Sequence, residues 1–319
     1  MEYTRLKKAD INISRISFGC QRFENSYDHD KHIQTIIYAF RKGINFFDTA
    51  GPYCDEQSEI ILGKAINEFK KENRPFYISS KCIDGDAAAF RKKLERSLQR
   101  LNLDSIDFFT CFWGIKSSLD WQEAKRYGAL DAMLRAKEEG LIRHICITTH
   151  MKSEDMIKVM NDHPFDLNII GYNAINGAIR HDGLKASYES GAGNIAMNPL
   201  GTGIIVQYAE IFKAAVIREN QTLVQASYDY LLSNPYIHSV LGGFSNQTHV
   251  DDALHALENH SPYTKEETAR VHQKLREKID SLPLEYRHKV ATDLCKKMYI
   301  FRDEIAGLMN VYPITFSAY

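Results

Sequence analysis

Three polar residues stand where apolar runs end, and their types suit proton transfer at a carbonyl oxygen. Asp48 closes Ile44-Asn45-Phe46-Phe47, Tyr53 lies in the loop just beyond, and Lys81 closes the next apolar run after Ser79-Ser80. If those runs are neighbouring strands, the three side chains can meet. An ammonium beside a phenol favours the phenolate and should lower the tyrosine pKa from about 10, while a nearby carboxylate keeps the lysine charged. A tyrosine tuned in this way can donate its proton to a substrate. Each residue also has a plainer reading: an Asp after a strand often caps a helix, a Tyr packs, and a Lys is a solvated charge. Joint placement at adjacent strand ends is what favours chemistry.

The elements that must position these residues are legible as a repeated unit: a short apolar, β-branched or aromatic run, a turn, then ten or more residues of helical period. Eight such runs occur: Ile16 to Cys20, Asn45 to Asp48, Phe76 to Lys81, Ile106 to Phe112, His144 to Thr148, Leu167 to Tyr172, Asn194 to Met197 and His238 to Leu241. Phe90, Leu94, Leu98 and Leu101 give the clearest one-sided helical stripe between them. Mostly apolar strands fit a sheet buried on both faces. Eight β-then-α units predict a single closed (β/α)8 TIM barrel, in which residues just past the strand ends share one face. A doubly wound open sheet is the rival, but its glycine-rich turn is absent after the first run, which ends Gly19-Cys20-Gln21-Arg22.

Beyond Glu266 the alternation stops. Two helices are predicted, Glu266 to Ser281 and Glu285 to Met309, then an aromatic tail from Tyr312 to Tyr319. No Pro/Gly/Ser-rich linker interrupts the chain, so residues 1–319 are read as one barrel domain, with 264–319 a helical extension packed on it.

The 319 residues are 44% hydrophobic and 25% charged, an ordinary globular balance. Forty basic residues against 41 acidic ones argue against a nucleic-acid or anionic-membrane footprint, leaving a small molecule as the expected partner. Oligomeric state is not legible. The first ten residues lack the apolar core of a secretory signal and no apolar run reaches membrane-spanning length, so a soluble cytoplasmic protein is expected. Cys20, Cys54, Cys82, Cys111, Cys146 and Cys295 show no disulfide or zinc spacing, and no metal site is expected.

At the level of motifs the chain resembles the aldo-keto reductases. The segment Gly43-Ile44-Asn45-Phe46-Phe47-Asp48-Thr49-Ala50 with Tyr53, Ser58-Glu59 and Leu62-Gly63-Lys64-Ala65 is similar to that family's first signature. Leu98-Gln99-Arg100-Leu101-Asn102-Leu103 with Ile106-Asp107 resembles its second, and Gly242-Gly243-Phe244-Ser245-Asn246 resembles the loop that holds the adenosine phosphate. With Pro199-Leu200-Gly201-Thr202-Gly203, the likeness runs over roughly residues 1–258. It implies reduction of carbonyls with NADPH through an Asp, Tyr, Lys, His tetrad.

The first three members fall on Asp48, Tyr53 and Lys81, but Phe112 stands where the histidine is expected. Phenylalanine cannot donate a hydrogen bond to a carbonyl oxygen. His150, just past the fifth strand, is the candidate to supply that donor; its plainer reading is a cap or loop residue. The family's Ser-Asn grip on the nicotinamide carboxamide appears as Thr148-Thr149, its strand-six Gln as Ile169, and its stacking aromatic as Met197. The resemblance gives further cofactor contacts to Gly19, Cys20, Pro199, Leu200, Gly201, Gly203, Gly243, Ser245, Asn246 and His249; Ser245 and Asn246 are equally read as helix caps. No Lys or Arg lies between Ser239 and Thr264, and Asp251 and Asp252 oppose added negative charge, so NADP and NAD both stay open. The Met-x-Pro-Leu-Gly pattern and the Thr-His resemble an iron-sulfur-carrying branch, whose cluster cysteines this chain lacks. Trp113, Trp121, Phe23 and Tyr27 are read as an apolar substrate wall.

Three functions are therefore weighed: a nicotinamide-dependent oxidoreductase acting on a carbonyl or conjugated substrate; a non-redox lyase, dehydratase or isomerase using Tyr53 and Lys81 for acid-base work; and a binding or regulatory barrel with little catalysis.

Overall fold

The computed structural model describes residues 1–82, 87–110, 115–298 and 309–310. Eight of its strands are β3 (Ile16–Gly19), β4 (Phe46–Asp48), β5 (Tyr77–Lys81), β6 (Ile106–Thr110), β7 (Ile142–Thr149), β8 (Leu167–Gly171), β9 (Gly193–Met197) and β10 (Ser239–Gly243). Each pairs in parallel with its successor, and β10 pairs back onto β3, closing a barrel with the helices outside. Every predicted run overlaps one barrel strand, the end of the fourth run at 111–112 lying outside the described residues. Parallel strands need helical crossovers, and those crossovers bury the outer face, which is why the runs are apolar throughout.

Strand alternation divides the core in two. Phe46, Phe108, Cys146, Leu167, Ile169, Ile195 and Leu241 fill the barrel interior. Phe47, Ile78, Phe109, Ile147, Ile170 and Val240 belong to the layer between strands and helices. The same alternation aims Asp48, two residues after Phe46, and Thr148, two after Cys146, into the interior at the carboxyl end.

The amino terminus forms an element absent from the sequence reading: a hairpin of β1 (Tyr3–Leu6) and β2 (Ile11–Ser14). Its Leu6, Ala9 and Ile13 join the interior cluster, and Leu6 packs over Gly193 at the start of β9. The hairpin thus stoppers the amino end, leaving the carboxyl end as the open mouth. Its strands are four residues each, too short for periodicity to separate from a loop.

Helix Lys265–Asp280 begins at a capping box of Thr264 and Glu267 and buries Val271, Leu275 and Ile279. Helix Leu284–Met298 follows, burying Val290, Ala291 and Leu294, with Tyr208 hydrogen-bonded to its Asp293. The expected continuation of this helix through 299–308 and the aromatic tail lie outside the described residues. No helix among the described residues is long and apolar enough to cross a membrane.

Gly63 shows how closely the helical ring is packed. A Cβ there would lie 2.1 Å from the carbonyl oxygen of Arg100, on the neighbouring helix Ala87–Leu101. Backbone cannot move aside as a side chain can, so Gly63→Ala is expected to destabilise the fold by about 1–3 kcal/mol or more. A urea midpoint that falls without a change in slope would register it, and an unchanged midpoint would refute this account of the packing.

Candidate active site

Lys81 is buried to 1% exposure, and an unpaired ammonium could not remain there. Its Nζ donates to Asp48 Oδ1 at 2.7 Å, Asp48 Oδ2 at 2.8 Å and the Thr49 carbonyl at 2.8 Å, so all three protons are placed. The meeting follows from register: Asp48 is opposite Ser79, and Lys81 lies two residues on along the same interior face. Burial by itself would lower the lysine pKa, but the Asp48 charge and hydrogen bond outweigh it and hold the pKa above its ordinary value. The ammonium persists.

Tyr53 is buried at the floor of the mouth, its ring centre 5.1 Å from Lys81 Nζ. The lysine pulls the phenol pKa down, yet burial acts more strongly and the net direction is upward. The lowered value anticipated from sequence is therefore corrected: desolvation of a phenolate costs more here than the nearby ammonium returns. Tyr53 is a protonated acid at neutral pH. Its loop is held by an unusual turn, in which Cys54, Asp55 and Glu56 all adopt left-handed conformations with φ of 54°, 54° and 65°. Such geometry costs about 1–2 kcal/mol per residue and needs anchors. They are Glu56 paired at 2.7 Å with both Arg96 and Arg100, and Asp55 accepting from Ser26 at 3.2 Å.

From this floor a cleft of about 510 Å³ extends across the ends of β3, β9 and β10. Asp48, Tyr53, Gly19, Met197, Pro199, Leu200, Gly203, Gly243, Ser245 and His249 line it. Lys81 sits behind Asp48. Other predicted positions are placed elsewhere. Cys20 is buried in the helix-facing layer, where its carbonyl accepts from Ser58. Thr149 gives its hydroxyl to Asn168 at 2.9 Å. Gly201 opens a short 3-10 turn, and Asn246 caps helix Gln247–Glu258 by accepting from the His249 N–H at 3.0 Å. Thr148 differs from these: among the described residues its buried Oγ1 has no hydrogen-bond partner.

His150 is buried and is not among the described residues that line the cleft. Its Nδ1 lies 2.7 Å from where Gly171 would carry a Cβ, and the fully buried Arg180 donates to its carbonyl at 3.2 Å. Burial, then the Arg180 and Lys116 charges, lower its pKa to about 3. A histidine kept neutral in the folded state gives stability that is complete above its unfolded pKa of about 6.5 and disappears as pH falls toward 3. Wild-type stability should fall over that window, and His150→Gln should flatten the fall; an identical acid slope in the variant would refute the assignment.

Phe112 and Trp113 lie outside the described residues. Trp121 is not a substrate wall: it is fully buried between Phe165 and Asp162 in the helical layer. Phe23 stacks on His32, and Tyr27 is exposed. Sequence reading missed the polar residues that line the mouth from the first βα loop, Gln21, Arg22 and Glu24, and gave no role to Thr202; Asp252, weighed there only for its charge, also lines the cleft. Among the described residues lining the cleft Arg22 is the one Lys or Arg, and its Cβ and Cγ lie over Gly243, where a side chain would collide at 2.6 Å. The only available signal was its place just past the first strand.

Barrel, buried ion pair, protonated tyrosine and cleft at the strand ends together define a (β/α)8 protein equipped for proton transfer at its mouth. The chain belongs to the Aldo/keto reductase family, whose sequence model matches residues 15–276. It is similar to L-galactose dehydrogenase of Arabidopsis thaliana, 27% identical over 286 residues covering 81% of this chain and 88% of that one. In structure it resembles an aldo-keto reductase from Bacillus halodurans in its holo form, with a TM-score of 0.73, 20% identity and coverage of 86% and 96%. An aldo/keto reductase from Klebsiella pneumoniae in complex with NADP and acetate gives a TM-score of 0.66 at 21% identity, covering 83% and 92%.

Proposed function

We propose that this protein interconverts a carbonyl and an alcohol on a small molecule, with Tyr53 as the proton donor in the reducing direction. The observation that carries the reading is the buried Asp48–Lys81 pair beneath a protonated Tyr53 at one end of the cleft. The residues present fit a nicotinamide dinucleotide. Thr148 Oγ1 needs a buried polar partner such as a carboxamide, Met197 and Leu200 offer an apolar wall, and Arg22 offers a cation for a diphosphate. When bound, the cofactor supplies the hydride.

The chain's own part is positional and electrostatic. Tyr53 holds its proton at the floor of the mouth and releases it to a substrate oxygen as negative charge develops there. The Lys81 ammonium stabilises the phenolate that remains. Asp48 fixes that ammonium within the interior, and neither charge need move during turnover. The Arabidopsis relative's named activity makes aldoses the first substrates to assay, followed by aldehydes and conjugated ketones.

The test is titration of purified protein into NADH and into NADPH, followed by cofactor fluorescence, and then turnover with that panel. Absence of a fluorescence change with both cofactors would overturn the proposal. Cofactor-independent turnover that Tyr53→Phe abolishes would instead favour a lyase, dehydratase or isomerase.

A further inference from the structure

Beyond β10, where helix Gln247–Glu258 begins, the cleft is lined by Glu24, Ser245, His249 and Asp252. Ser245, 5% exposed, donates to Glu24 Oε1 at 3.2 Å and lies 3.1 Å from His249 Nδ1. A hydroxyl has one proton, so with Ser245 donating to the carboxylate, His249 must donate to Ser245 through Nδ1–H. Its Nε2 faces the Asn246 side-chain amide at 3.5 Å. Asp252 adds a second carboxylate to the lining.

Given the proposed cofactor reading, on which this inference rests, the nicotinamide must lie beside Tyr53 for hydride and proton to reach one substrate. Arg22 packs over Gly243 in the same lining and offers its cation to the diphosphate. The adenosine ribose is then left to Glu24, Ser245, His249 and Asp252. A ribose diol presents two O–H donors, whereas a 2′-phosphate presents only acceptors and about two negative charges. We infer that this part of the cleft selects NAD(H) over NADP(H), with Glu24 accepting from the ribose hydroxyls and Glu24 and Asp252 repelling a 2′-phosphate.

Two features favour an anion and must be weighed. Lys31 Nζ is 3.5 Å from Glu24 Oε2, and helix Gln247–Glu258 begins here. A helix end is worth about half a positive charge, and its His249 N–H is already taken by the Asn246 cap. With Arg22 taken up by the diphosphate and the exposed lysine counted in full, the helix end and the two carboxylates leave about half a negative charge for a 2′-phosphate to meet.

Dissociation constants for NADH and NADPH, measured by cofactor fluorescence on the full chain, test this. Wild type should bind NADH about tenfold or more tightly than NADPH, a modest figure because the carboxylates are exposed. In E24Q/D252N the preference should collapse, chiefly through tighter NADPH binding, and Glu24→Lys should reverse it. Both positions are exposed, so melting temperatures should match wild type and confirm intact folds. Equal or tighter binding of NADPH by wild type, or a ratio unchanged in both variants, overturns the inference while leaving the oxidoreductase reading standing. Failure of both cofactors to bind wild type sinks the two together.

Discussion

Tyr53→Phe should lower turnover about 10²–10⁴-fold while the dissociation constant of the cofactor stays within a few-fold of wild type. The substitution removes one oxygen and keeps the ring that packs 5.1 Å from Lys81 Nζ, so the pocket shape survives. What disappears is the proton that neutralises the developing alkoxide. Because the phenol pKa is raised above its ordinary value, the rate of reduction should stay flat through neutral pH and fall only once pH exceeds about 10. A fall centred near pH 7 would show that another group donates the proton. Undiminished turnover in the variant would remove Tyr53 from the chemistry altogether.

The second large effect concerns the ion pair beneath it. Replacing Asp48 with Asn, or Lys81 with Met, strands one charge in the barrel interior, where the pair is almost wholly excluded from water. Breaking such a pair costs about 3–5 kcal/mol, whereas replacing both members with apolar residues of similar volume can be nearly neutral. The double variant Asp48→Leu/Lys81→Met should therefore melt above either single variant while remaining inactive. Double-mutant behaviour of this kind separates stability from chemistry, since folding recovers and turnover does not. Simple additivity of the two single losses would mean that the charges are solvated and that the buried geometry is wrong.

Much of the scaffold could be read before any coordinates. The eight runs announced themselves because a strand buried on both faces is continuously apolar and its crossover helix changes the period from two to 3.6. Asp48 and Lys81 were legible as a pair for a related reason: charged residues that end apolar strands are exceptional, and parallel register brings neighbouring strand ends together. The β1–β2 hairpin escaped notice because its two strands of four residues are too short to show a period. His150 follows the alternation of Thr148, its Nδ1 lying 2.7 Å from where Gly171 would carry a Cβ, but it is buried and is not among the described residues that line the cleft.

Local spacing and residue type thus determined the barrel, its open end and the three residues at its floor, since each depends on periodicity that neighbours in the chain impose. Tertiary packing alone decided the sign of the Tyr53 pKa shift, the placement of Arg22 over Gly243, and the meeting of Glu24 with Ser245 across 221 positions of sequence. Burial and long-range approach are properties of the closed shape. They arise when distant segments exclude water together, and no window along the chain contains them.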